Sequence, residues 1–103
     1  METKEILDTS VAFGKVKGVI TIFTAIEYTP TLKKSFEIIF PDGADYVKAI
    51  EIANKLREKG KPVGAIDILI AGMCINREST LLTKDMDFKI IQEFFPMFRT
   101  KLI

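Results

Sequence analysis

The chain has 103 residues, 48% of them hydrophobic and 28% charged, with a formal net charge of +1. That is the profile of one globular domain spanning residues 1–103, without a strongly basic nucleic-acid-binding footprint. It contains no histidine, which excludes Ser-His-Asp and Cys-His catalysis, paired-histidine ribonucleases and histidine-ligated zinc.

The opening Met1–Glu5 is polar and runs directly into a strand-like segment, unlike a signal peptide. Glu5-Ile6-Leu7-Asp8 reads as a short buried strand ending at Asp8, with Thr9 and Ser10 suited to the turn after it. Phe13–Gly18 is a short connection. Val19-Ile20-Thr21-Ile22 is β-branched throughout and predicts a second strand. Phe23–Tyr28 either prolongs that strand or begins a short helix, and Pro30 ends it. A helical turn is expected over Leu32–Ser35. Phe36–Phe40 reads as a third strand, stopped by Pro41-Asp42-Gly43.

Ala44–Lys59 carries the clearest helical pattern, with Val47, Ile50, Ala53 and Leu56 at three-residue steps. Asp42 or Asp45 can cap its start, and Gly60 can stop it. Gly64–Asn76 is apolar nearly all round. Its length and its Ala, Leu and Met content favour a helix, with Asp67 in the first turn near the positive end of the helix dipole. The single cysteine, Cys74, is expected to pack there as a small hydrophobe, in keeping with a reducing cytoplasm. No apolar stretch is long enough to span a bilayer. Thr80–Thr83 predicts a buried strand and Lys84–Asp87 a loop. Phe88–Phe95 predicts a short helix ended by Pro96, and Arg99–Ile103 a last strand. Alternating strands and helices argue for an α/β domain with a mainly parallel sheet, which binds its ligands at the carboxyl ends of the strands.

Four acids sit just after or within apolar runs: Asp8, Glu27, Asp67 and Asp85. Each alone reads equally well as a helix cap, a strand-end turn or a solvated group. Brought to one place, however, they would repel one another unless a cation sat between them. An oxygen-only donor set favours a hard cation such as Mg²⁺ or Mn²⁺, the apparatus of metal-assisted phosphodiester hydrolysis. Lys84, Lys15 and Lys17 are candidate contacts for a nucleic-acid backbone, although an ordinary solvated surface explains them too. No glycine-rich phosphate-loop pattern is present.

Ile6-Leu7-Asp8-Thr9-Ser10-Val11 resembles the opening motif of PIN domains. Gly64-Ala65-Ile66-Asp67-Ile68-Leu69-Ile70-Ala71 resembles their central helix motif, and Leu81-Leu82-Thr83-Lys84-Asp85-Met86-Asp87-Phe88 their late T-x-D-x-D-F motif. Thr21–Glu27 is a weaker match to the second acidic motif. In this order, with Lys59-Gly60-Lys61-Pro62 before the central motif, the pattern is most similar to the VapC-like subgroup and covers nearly the whole chain. The resemblance implies a three-layer α/β/α sandwich around a parallel sheet. It also implies a Mg²⁺- or Mn²⁺-dependent endoribonuclease acting on RNA, a homodimer, and a small antitoxin partner. It would place catalytic and metal-binding roles on Asp8, Glu27, Asp67 and Asp85. Asp87 is a candidate fifth ligand or the N-cap of the following helix. Thr9 and Thr83 would orient ligands or water from behind, or serve only as turn residues.

One departure stands out. The family carries a longer segment, typically two helices, between the first two acids, whereas here they are 27 − 8 = 19 positions apart. A parallel crossover needs roughly 10–12 residues or more, and Val11–Gly18 is short of that. The first two strands would then not be parallel neighbours, or the first strand would pair with another subunit, or the chain is a shortened relative with a damaged site. The alternative to a nuclease is accordingly a catalytically degenerate binding or oligomerisation module. The apolar segments Ile20–Ile26 and Gly64–Ile75 are expected to need cover from a partner.

Overall fold

The apolar segments bury themselves by alternation across a single sheet. The computed structural model describes residues 4–103, and the polar opening at residues 1–3 lies outside them. Its strands are β1 Glu5–Leu7, β2 Lys17–Thr21, β3 Ser35–Ile39, β4 Thr80–Thr83 and β5 Arg99–Leu102. They lie in the order β3-β2-β1-β4-β5, and every neighbouring pair is parallel. Successive strand residues point to opposite faces. Ile6 and Leu81 therefore enter one core, with Val19 and Ile39 packed against it. Leu7 and Ile20 enter the other, with Ile38 and Leu82 against it.

The helices divide between those faces. α1 Thr9–Ala12 and α2 Ile22–Glu27 supply Val11, Ala12 and Ala25 to the second core. The long α3 Gly43–Glu58, with α4 Ala65–Asn76 and α5 Asp87–Phe94, covers the first through Ile52, Leu56, Ile68, Ile70, Phe88 and Ile91. The result is the expected three-layer α/β/α sandwich. A 3₁₀ turn at Thr29–Lys33 leads into β3, slightly earlier than the helical turn expected over Leu32–Ser35.

The first crossover corrects an expectation. β1 and β2 are parallel neighbours, with Ile6 opposite Val19, inside one chain. The link between them holds only the single turn α1. It suffices because β1 is three residues long, so the chain must climb back only about 10 Å. Gly18 makes the tight join possible. Its φ is +143°, and a Cβ there would lie 2.8 Å from Leu7 Cδ1.

α3 starts as the sequence predicts and turns a different face inward. The Asp42 carboxylate accepts the Asp45 N–H at 3.1 Å, and the Asp45 carboxylate accepts the Asp42 N–H at 2.9 Å, a reciprocal capping box. It ends at Gly60, φ +65°, with the Lys61 N–H bonded to the Leu56 carbonyl and the Gly60 N–H to the Arg57 carbonyl. Of the predicted apolar line, Val47 and Ile50 are 68% and 70% exposed, and only Leu56 is buried. The buried line is Asp45, Ile52 and Leu56, with Ala49 packed beside it. Steps of exactly three residues fall short of the 3.6-residue turn and drift around the helix, whereas steps of four, three and four stay on one face.

Asp45 has no solvent exposure and is held by Asn76 Nδ2 at 3.0 Å and Arg77 Nη1 at 2.8 Å. Arg77 also donates to the Met73 and Phe40 carbonyls. This network ties the start of α3 to the end of α4.

The segments expected to need a partner are mostly covered within the chain. Ile20 and Ala25 are buried, as are Ile68–Cys74, while Ile26 and Ile66 remain exposed. Among the described residues no helix is long and apolar enough to cross a membrane.

Candidate metal centre

Strand order reverses at β1, where the chain runs outward through β2 and β3 on one side and through β4 and β5 on the other. The crevice at the carboxyl end of such a switch point is where open parallel sheets hold ligands. Asp8 leaves β1 at that point, and Lys84, Asp85 and Asp87 follow β4.

Backbone and hydroxyl bonds stitch the two strand ends together. The Asp8 N–H bonds the Leu82 carbonyl at 2.9 Å, which extends the β1–β4 ladder past the strand. Oδ2 of Asp8 accepts from Thr83 Oγ1 at 2.9 Å and from Ser10 Oγ at 3.0 Å. The same Thr83 oxygen accepts the Asp85 N–H at 3.0 Å, and the Ser10 oxygen accepts the Lys84 N–H at 3.0 Å. Both hydroxyls thus donate to Asp8 and receive an N–H from the loop after β4, so Asp8 and that loop are located relative to each other.

Asp67 stands in the first turn of α4. One carboxylate oxygen from each of Asp67, Asp85 and Asp87 lies within 4.8 Å of the others. Asp67 and Asp85 are half-buried and Asp87 is exposed. Asp87 is not the N-cap of α5. It occupies the first helical position after Met86, and its N–H is accepted by Asp85 Oδ1 at 2.9 Å. The Asp67 carboxyl is pushed up to about 6, first by burial, then by the charges of Asp85, Asp8, Asp87 and Glu27. These causes outweigh the helix N-terminus, which favours the ionised form. The ion pairs described, Lys4–Glu37, Lys48–Glu51 and Arg77–Asp45, involve none of these five acids. Repelling carboxylates that offer only oxygen donors suit a hard divalent cation.

Asp8 and Glu27 stand outside the 4.8 Å group, and both bear on Asp67 by charge. Glu27 is exposed at the end of α2. With Asp67 it lines a groove of about 650 Å³ whose other walls include Phe23, Ile26 and Ile66. Thr83 holds Asp8 from behind, whereas the Thr9 hydroxyl goes to Thr24 Oγ1 at 3.0 Å and joins α1 to α2. Lys84 is exposed beside Asp85. Lys15 precedes β2 and Lys17 opens it, toward the opposite end of the sheet. Lys17 is about 13 Å of strand from Thr21, at the carboxyl end. Ser10, which in the sequence reads only as a turn residue, joins the site through its bonds to Asp8 and Lys84. Its partner Lys84 is 74 positions away. Cys74 is buried in the core and burial pushes its thiol up to about 12, as suits an inert hydrophobe.

Neither a protein-family model nor a curated protein matches the sequence. Solved structures do. DNA-bound VapBC from Salmonella typhimurium aligns over 97% of this chain and 98% of its own, at 21% identity and a TM-score of 0.77. VapBC2 from Rickettsia felis, bound to a promoter DNA fragment, aligns over 97% and 98% at 19% identity and 0.80. VapBC-1 from nontypeable Haemophilus influenzae aligns over 97% and 98% at 15% identity and 0.76. The chain has the VapC-like PIN-domain fold.

Proposed function

We propose that this chain is a Mg²⁺- or Mn²⁺-dependent endoribonuclease of the VapC type, the toxin of a toxin–antitoxin pair. The observation that carries the reading is the meeting of Asp67, Asp85 and Asp87 oxygens within 4.8 Å at the switch point of a VapC-like fold. Asp67, Asp85 and Asp87 would hold the ion, with Asp8 and Glu27 adding negative charge around it. A bound divalent cation supplies a water of lowered pKa and charge neutralisation at the scissile phosphate. The remaining work falls to the chain. Thr83 and Ser10 hold Asp8 in one orientation, Asp85 is set by the Thr83 hydroxyl, and Lys84 meets the RNA backbone. No histidine is required for this chemistry.

The similar solved structures are VapBC complexes, which supports a second small protein as partner. The groove between Phe23, Ile26 and Ile66 opens beside Asp67 and suits an apolar segment of that antitoxin. A homodimer is also part of this reading. The apolar side of α3 at Val47 and Ile50 is the surface that would be covered.

Cleavage of end-labelled single-stranded RNAs with Mg²⁺ or Mn²⁺, with and without EDTA, tests the reading. Cleavage that EDTA stops and Asp67→Asn abolishes is the expected result. Saturating metal should also raise the melting temperature of the parent, because an ion bound only by the folded state stabilises it. No cleavage together with no thermal response to metal would reject the nuclease in favour of a binding module.

A further inference from the structure

The charge of this small domain is unevenly distributed. Residues 9–36 contain Lys15, Lys17, Lys33 and Lys34 against the single acid Glu27, a net of +3, so the rest of the chain carries 1 − 3 = −2. Within that basic stretch lies an aromatic pair that belongs to neither core. Phe13, just past α1, is 66% exposed. Its ring centroid is 4.9 Å from that of Tyr28, just past α2, with the planes 38° apart. The Lys34 ammonium sits 5.4 Å from the Tyr28 centroid and donates to the Lys15 carbonyl at 3.4 Å, so the cation is held beside the ring.

We infer that Phe13 and Tyr28, with the Lys34 ammonium beside them and Lys15 and Lys33 close by in the chain, form a base-stacking platform for single-stranded RNA outside the acidic centre. An exposed ring takes the face of any base, and nearby ammonium groups take the phosphates, which together are the physical requirements of single-strand binding. A protein partner is the less suitable occupant, because protein interfaces are depleted in lysine. The position fits the path of a substrate. Tyr28 directly follows Glu27, and Phe13 is five residues beyond Asp8, about 7.5 Å along the axis of α1. A strand stacked there would run from the acids toward the opposite end of the sheet, where Lys15 precedes β2 and Lys34 precedes β3. This inference rests on the ribonuclease reading only for that path, since the platform itself binds without metal.

Fluorescence anisotropy of a labelled single-stranded RNA, in EDTA so that nothing is cleaved, is the test. Phe13→Ala should weaken binding roughly tenfold while the melting temperature falls by only several degrees through loss of the Tyr28 contact, and Phe13→Tyr should retain binding. Lys34→Gln should lower the slope of log K against log salt by about 0.7, one phosphate contact on a single strand. Phe13→Ala binding RNA as tightly as the parent overturns the platform, even if the parent cleaves RNA with metal. So does a Phe13→Ala variant that changes only the oligomeric mass or antitoxin binding, since the patch is then a protein interface. A parent that binds RNA through Phe13 but never cleaves it leaves the platform standing and removes the nuclease. A parent that binds no RNA in EDTA overturns the platform, while cleavage with metal still decides the nuclease.

Discussion

Replacing Asp67 by Asn should stabilise the metal-free protein, by an amount the structure sets. Burial and four neighbouring acids raise its carboxyl from 3.8 to about 6. Each unit corresponds to about 1.36 kcal/mol, so the unscreened cost of ionising it in the folded state is about 3 kcal/mol. The crevice is open to water on one side, which reduces this to about 2 kcal/mol. The sign follows from where the proton is held. Between pH 4 and 6 the folded state keeps a proton that the unfolded chain has released, so stability falls as pH rises through that interval. The penalty is complete above about pH 6 and absent below about pH 4. Asn has the same shape without the charge. Urea unfolding in EDTA should therefore find Asp67→Asn more stable than the parent by about 2 kcal/mol at pH 8, or about 10 °C in melting temperature for a domain of this size. The difference should narrow toward zero as pH is lowered to 4. Comparing the two proteins at each pH cancels the titrating groups remote from Asp67, and leaves only Asp67 with the four acids that repel it. Equal midpoints at pH 8, or a gap that widens in acid, would refute a repulsive carboxylate cluster.

Thr83→Val keeps the side-chain shape but removes both the donor to Asp8 and the acceptor for the Asp85 N–H. RNA cleavage should fall about tenfold or more while the melting temperature drops by only a few degrees, and unchanged cleavage would show that Asp8 needs no such support. Asp45→Ala should destabilise by about 3 kcal/mol, the low end for a buried pair because Arg77 is partly exposed. Burial pushes the Asp45 carboxyl up, but Arg77, the Asp42 N–H and Asn76 outweigh it and hold it below the usual range. Its contribution is therefore full above about pH 4 and lost as pH falls through that lowered value, the opposite sense to Asp67; denaturant unfolding that finds no loss at pH 7 would contradict it. Light scattering at low micromolar concentration should give a mass near twice the 11.6 kDa of one chain, and Val47→Glu with Ile50→Glu should reduce it to one. A parent at 11.6 kDa rejects the dimer.

What could be read directly from the residues was local and periodic. The strands, the limits of α3 and α4, the Asp42 cap and the Gly60 stop were all legible. Each depends on a few adjacent residues: β-branched runs, a carboxylate three positions before an N–H, a glycine where φ is positive. The site was legible only as a set of acids following apolar runs, because parallel strands and helix N-termini gather such residues at one edge. Their relative distances were not. Asp67, Asp85 and Asp87 meet within 4.8 Å while Asp8 and Glu27 stand farther out, and Ser10 joins Lys84 across 74 positions. Such spacings depend on how α4 packs on the sheet, which no local pattern encodes. Tertiary packing also decided which side of α3 is buried, since Asp45 on α3 finds Asn76 and Arg77 at the end of α4 and turns Val47 and Ile50 outward. It decided, too, that a link with one helical turn can carry the first crossover, because β1 is three residues long and Gly18 lets Leu7 approach the backbone of β2.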